Sequence, residues 1–120
     1  MILSISSAEP RFLELALIDR DVIVSHRQIP AERRQAELLL PQIAKLLQTS
    51  SLHLSDITAV QVVTEGAGFS SLRIGVATAN ALAFALGVPV RPLQGKALKK
   101  KGILVAAPAY SRPPSIGKKE

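Results

Sequence analysis

A nucleophile, a metal ligand or a phosphate cradle would have to come from few places in this chain. Ser4, Ser6 and Ser7 close an N-terminal apolar stretch, and Ser70 and Ser71 follow the loop Gly66-Ala67-Gly68. A serine attacks only when a base takes its proton. Neither His26 nor His53 stands beside these serines in sequence, and there is no G-x-S-x-G elbow, so covalent catalysis is not expected. The histidines show no helical pair spacing and no neighbouring carboxylate cluster, which argues against a zinc or iron site. With no cysteine there is neither a disulfide framework nor a thiolate metal site. The Gly66-Ala67-Gly68 loop invites an anion-binding reading, because helix N-termini attract anions. It matches neither G-x-x-x-x-G-K-[ST] nor G-x-G-x-x-G, and reads instead as a tight strand-to-helix turn that uses glycine at positive φ.

Hydrophobic periodicity predicts the elements that carry these residues. Ile2-Leu3-Ser4-Ile5-Ser6 alternates as a strand, Ser7-Ala8-Glu9-Pro10 is a turn, and 12–18 is a second strand. Asp19-Arg20-Asp21 turns the chain into a third strand over 22–27. Ala36, Leu39, Leu40, Ile43, Leu46 and Leu47 then recur at three- and four-residue steps, predicting an amphipathic helix over 31–48. Pro41 inside it should kink the helix or strip a carbonyl one turn earlier of its partner. The apolar run 57–63 reads as a strand buried on both faces. A loop over 64–70 leads into a helix over 71–86, stopped by Gly87 with Pro89 just beyond, and 88–91 is a short last strand. The order β-β-β-α-β-α-β builds an α/β fold with a mixed five-stranded sheet and two main helices. Residues 1–93 form the single domain and 94–120 a basic, proline-containing tail. Within the tail, 96–101 reads as one helical turn, 103–107 as a short strand or docking segment, and 108–120 as extended chain.

The second helix carries no charge over 74–87 and is apolar or small nearly all round. A surface helix ordinarily shows water a polar face. One side of this helix can lie on its own sheet, and the other points to a partner. Leu72, Gly75, Val76, Ala79, Leu82, Ala83 and Leu86 fall on one stripe. Gly75, Ala79 and Ala83 are small and four apart, which permits close helix approach. This stripe is the expected partner interface, with Arg73 capping a loop or meeting an acidic residue of the partner. Leu38, Gln42 and Lys45 flank the exposed side of the first helix, whose Leu39, Ile43 and Leu46 face the core.

Composition bounds the class. The 120 residues suffice for one domain, and 48% hydrophobic against 20% charged residues marks a globular chain with an aliphatic core, since aromatics are only 3%. The longest uncharged run is too short and alanine-rich for a membrane span, and the N-terminus lacks a signal-peptide pattern, so a cytoplasmic protein off the membrane is expected. The net charge of +6 is uneven. Residues 1–90 hold seven Lys/Arg and eight Asp/Glu, whereas 91–120 hold eight Lys/Arg and only Glu120. Lys99, Lys100, Lys101 and Arg112 are the candidate contacts to RNA phosphates or to an acidic partner face. No aromatic interleaving supports base stacking, and a solvated end that aids solubility is the plainer alternative.

The stretch from Gly66 to Ala83, followed by Ala85-Leu86-Gly87-Val88-Pro89, resembles the TsaB (YeaZ) family pattern G-P-G-S-F-T-G-L-R-I-G-V-A-T-A-K-G-L-A and its A-L-G-I-P. Leu72-Arg73-Ile74-Gly75-Val76-Ala77-Thr78-Ala79 is the specific part, and the loop before it is one residue shorter than the pattern. Glu37-Leu38-Leu39-Leu40-Pro41 is similar to the family's H-S-E-x-L-L-P, with Gln35 at the histidine. Leu54-Ser55-Asp56-Ile57 is similar to its L-S-D-I/L step, and Pro108-Ala109-Tyr110-Ser111-Arg112-Pro113-Pro114 to its C-terminal P-x-Y-L-R-P-P. The resemblance covers about 1–93 and 106–116, as in a truncated member lacking most of the second domain.

The resemblance implies an actin/Hsp70-like (ASKHA, ribonuclease H-like) half-fold. It implies a non-catalytic subunit of the bacterial machinery that makes threonylcarbamoyladenosine next to the tRNA anticodon. The implied partner is a TsaD-like catalytic paralogue, bound through two helices of each protein, with a TsaE-like ATPase docking on the pair. Alone, the same helices would make a homodimer, and contact with tRNA would be indirect. No cofactor is implied: where the family commonly has D-T-S at the first turn, this chain has serines, and hydroxyls alone hold Mg²⁺ poorly. The rival readings are a small ASKHA-type nucleotide-binding ATPase or peptidase-like protein, and an RNA-binding module acting through the basic tail.

Overall fold

The computed structural model describes residues 1–66, 69–93, 98–100 and 103–105. Its main sheet is built from β1 (Ile2–Ser6), β2 (Phe12–Asp19), β3 (Val22–Pro30), β4 (Ala59–Val63) and β5 (Val90–Leu93) in the order β3-β2-β1-β4-β5. The meander β1-β2-β3 is antiparallel, and β4 and β5 add in parallel. Helix α1 (Gln35–Thr49) and helix α2 (Phe69–Leu86) supply the two crossovers. This is the expected actin/Hsp70-like mixed sheet.

The β2–β3 turn is set by backbone geometry. Asp19 pairs with Val22, and the two residues between them, Arg20 and Asp21, have φ of 52° and 67°. A two-residue hairpin whose strands twist right-handedly needs positive φ at both positions. The third strand runs three residues past its expected end, to Pro30, because Gln28, Ile29 and Pro30 still find partners on β2. It bulges where register shifts between Leu17 and Ile18, which leaves Val24 exposed.

Helix α1 begins four residues later than periodicity indicated. Arg33 sits at φ 63°, outside helical space, and the Arg34 N–H bonds to the Ala31 carbonyl in a turn. Pro41 does not break the helix. It lies on the exposed side, where the Glu37 carbonyl that loses its N–H partner is near water. Both helices end the same way. Leu52 N–H bonds to Leu47 O and Ser51 N–H to Gln48 O, and Val88 N–H bonds to Ala83 O and Gly87 N–H to Phe84 O. In this double bond the residue after the cap turns left-handed. Gly87 takes it freely at φ 72°, while Ser51 takes it at φ 58°. A short 3-10 turn, Leu54–Asp56, capped reciprocally by His53 and Asp56, precedes the expected strand, and β4 begins only at Ala59. β5 likewise starts two residues late, after Pro89.

One core fills the space between sheet and helices. Leu3, Ile5, Leu13, Leu15, Leu17, Val60 and Val62 on one face of the sheet meet Leu39, Ile43, Leu46 and Leu47 of α1 and Val76, Ala79 and Ala83 of α2. Both helices therefore cover the same face. Beyond β5, β6 (Leu98–Lys100) and β7 (Ile103–Val105) pair antiparallel as a separate two-stranded ribbon, where a helical turn was expected over 96–101. The expected extended chain over 108–120 lies outside the described residues.

Candidate functional site

Parallel pairing brings the carboxyl ends of β1 and β4 side by side, the position where open α/β sheets hold ligands. Here the space is taken up by the protein's own contacts. Ser7, 1% exposed, donates its hydroxyl to Ser71 O at 2.5 Å and accepts from Gly75 N–H at 2.9 Å. It thus bridges two backbone groups that a helix ordinarily joins directly. Gln35 reaches across from α1, its Nε2 donating to Glu9 O at 3.0 Å and Phe12 O at 2.9 Å, and so fixes the β1–β2 turn. Sequence reasoning noted Gln35 only as a departure from histidine; its role is to satisfy buried turn carbonyls. Gly66 is required by close approach, not by positive φ: a Cβ there would collide with the Cβ of Ala8. Gly68 of the same loop lies outside the described residues.

Ser4 and Ser6, the candidates for the place of a strand-one acid, are also buried. Ser4 Oγ accepts from Gln61 Nε2 at 3.3 Å, and Ser6 Oγ from the Ala8 N–H at 3.4 Å. Thr64 and Glu65 are buried at the end of β4 and were missed from sequence, where a run of T-E before glycine reads as plain loop. The Thr64 hydroxyl has no hydrogen-bond partner among the described residues. His26 on β3 and His53, before the 3-10 turn, are both exposed.

The stripe expected to meet a partner is instead part of the core. Leu72, Gly75, Val76, Ala79 and Ala83 are buried within the chain, Ala79 completely, and Leu82 and Leu86 are half-buried against the same core. The reason is the small-residue spacing itself. It lets α2 settle closely onto its own sheet and onto the β1–β2 turn, and a Cβ on Gly75 would come within 2.7 Å of Ser7 Oγ. These five residues are not a surface for docking.

The opposite side of α2 is exposed and largely apolar. Arg73, Ala77, Asn80, Ala81, Phe84 and Ala85 line it, and Phe84 is 90% exposed. Alongside, α1 presents Leu40, 56% exposed, with Lys45 exposed and Leu38 and Gln42 half-buried. Between α1, the loop that follows it and Leu82 lies a groove of about 570 Å³ whose walls include Leu40, Ile43, Ala44, Leu47, Leu52 and Leu54. Of the residues expected at an interface, Arg73 is exposed and Leu38, Gln42 and Leu82 are half-buried, while the exposed large apolar side chains of the two helices are Leu40 and Phe84. Arg73 and Asn80, the large polar side chains of α2, mark its watery side, and Phe84 follows Asn80 by four.

Comparison with known proteins fits this architecture. The family described as TsaD, tRNA N6-adenosine threonylcarbamoyltransferase, matches residues 25–98. The chain belongs to the TsaD family. A tRNA N6-adenosine threonylcarbamoyltransferase of Symbiobacterium thermophilum is 45% identical over 69 residues, covering 54% of this chain and 20% of that protein. An uncharacterized protein of Mycobacterium tuberculosis is 32% identical over 90 residues, covering 74% of this chain and 43% of that protein. The solved structure of YeaZ from Pseudomonas aeruginosa superposes with a TM-score of 0.70 at 25% identity, over 77% of this chain and 42% of that one. This TsaD-family chain is thus a TsaB-like member, and it spans less than half the length of the mycobacterial relative and of YeaZ.

Of the basic candidates, Lys99 and Lys100 belong to β6, and Lys101 and Arg112 lie outside the described residues. Among the described residues no three potential metal ligands cluster, and no helix is long and apolar enough to cross a membrane.

Proposed function

We propose that this chain is a non-catalytic, cytoplasmic subunit of the machinery that makes N6-threonylcarbamoyladenosine in tRNA. It docks a TsaD-like catalytic subunit on the outer face of α1 and α2. The observations that carry the reading are the exposed Phe84 on α2 and the exposed Leu40 over an apolar groove along α1, on helices that carry the family's sequence signature. Large apolar side chains left in water on two neighbouring helices mark a surface built for protein contact. A partner covering that face hides Phe84 and leaves Arg73 at the rim, where an acidic residue of the partner would pair with it.

The absence of chemistry in this subunit is supported by the engagement of the β1 serines. Ser4 and Ser7 have their hydroxyls bound within the fold, and none of the described groups is an acid at the end of β1. A TsaE-like ATPase would then dock on the pair rather than on this chain alone. In the absence of its partner, the same face would pair two copies. Contact with tRNA would be made mainly by the catalytic subunit.

The test is co-purification of the full-length chain with the TsaD-like protein of the same cell, followed by a tRNA modification assay with and without this chain. The reading requires a stable complex and modification that depends on it. Modification by the other components at an undiminished rate without this chain would overturn it.

A further inference from the structure

The central strands β1, β2 and β4 carry buried residues on both faces of the sheet, although α1 and α2 lie on one. Residues alternate across a strand, and those that alternate with the helix-facing set are Ser4, Ala16, Ile18 and Ala59. They are 2%, 2%, 2% and 1% exposed. A sheet face without a second layer leaves the side chains of its central strands open to water. Neither helix can be the cover, because both pack with Leu3, Leu15 and Val60 on the other face. The 3-10 turn is excluded as well, since Leu54, Ser55 and Asp56 are exposed.

Among the described elements this leaves β6 and β7. The chain departs from β5 at Leu93, opposite Val63 and beside the end of β4, and β6 begins at Leu98. β6 and β7 pair only with each other in the sheet order. A two-stranded ribbon by itself is marginal in water and needs an apolar support. Leu98, Ile103, Leu104 and Val105 make the ribbon's sequence apolar enough to use one.

We infer that the β6–β7 ribbon lies across the second face of the sheet and is its cover. β6 and β7 are then a structural layer of the domain and not part of an appended tail. This inference stands apart from the docking of the catalytic subunit, which uses the other side of the molecule.

Two measurements on the full-length chain test it together. In an isotopically labelled sample, nuclear Overhauser contacts are expected between residues 98–105 and Ala16, Ile18 or Ile23. Because the chain has no cysteine, Ser4→Cys places a single thiol on the face in question. That thiol should react with a small alkylating reagent on the order of 100-fold more slowly than the thiol of Ser55→Cys on the exposed turn, since it is reached only by opening. Contacts to the sheet together with slow reaction support the ribbon as the cover. Ribbon resonances that contact only one another, or a Ser4→Cys variant that reacts as fast as its exposed control, overturn it.

Discussion

Replacing Gly75 by alanine separates the two explanations of why α2 carries a glycine there. In isolation, alanine in a helix interior is favoured over glycine by about 1 kcal/mol. In this protein the new Cβ would lie 2.7 Å from Ser7 Oγ and 3.4 Å from Ser7 Cβ. Ser7 has nowhere to go: it is buried, and its hydroxyl holds Ser71 O and Gly75 N–H. Pushing it away strands buried polar groups, at about 1–3 kcal/mol, and overpacks the turn by a similar amount. Gly75→Ala should therefore destabilise by about 2 kcal/mol despite the gain in propensity. With Ser7→Ala the oxygen is gone, and Gly75 N–H and Ser71 O, four residues apart on α2, can satisfy each other as an ordinary helical pair. In that background Gly75→Ala should be neutral or stabilise by about 1 kcal/mol, giving a coupling of about 2–3 kcal/mol. Urea unfolding followed by circular dichroism reads this as shifts in midpoint at constant slope. If Gly75→Ala raises the midpoint equally in both backgrounds, there is room at this position. The burial argument would then be wrong, and the glycine would have to serve something outside the chain.

Other outcomes follow from the same contacts. Gln35→Leu should lower stability by about 2 kcal/mol, because the Glu9 and Phe12 carbonyls lose their donor; the urea midpoint checks it. Thr64→Val removes a buried hydroxyl that has no partner among the described residues and keeps the shape, so it should stabilise by about 1 kcal/mol, and a loss of stability would show that the hydroxyl is bound. The Glu9 carboxyl is held below its ordinary range first by a hydrogen bond from the Arg11 side chain. A depressed carboxyl contributes stability above its unfolded pKa and loses it as pH falls through the folded value. Both groups sit in water, so Glu9→Gln should lower the midpoint at neutral pH only slightly, and that difference should disappear in acid, where the native carboxyl is itself protonated.

The sheet was legible because its strands announce themselves in two ways. The alternation of Ile2 to Ser6 and the nearly continuous apolar run before Thr64 follow directly from half-buried and largely buried strands. Helix ends were legible where glycine made them so, as at Gly87, and not where a serine took the left-handed position, as at Ser51. The start of α1 was misplaced because Ala31 continues the apolar spacing, while a positive φ at Arg33 leaves no composition signature. The stripe of small residues packs inward because residues of that size spaced by four permit close approach to anything, including the chain's own sheet. Only the location of Arg73 and Asn80 distinguishes the two sides. The roles of Ser7 and Gln35 were out of reach, since each depends on elements distant in sequence meeting at one turn.

The claim that the outer face of α1 and α2 docks the catalytic subunit is tested most directly by the affinity of the full-length chain for the TsaD-like protein, with Phe84→Ala beside the wild type. Phe84 contributes little to the fold at 90% exposure, so the variant should keep its stability within about 0.5 kcal/mol, read from the urea midpoint. Burying a phenylalanine at an interface is worth about 2 kcal/mol, so the Kd should rise roughly 30-fold. An unchanged Kd with an intact fold would contradict the account.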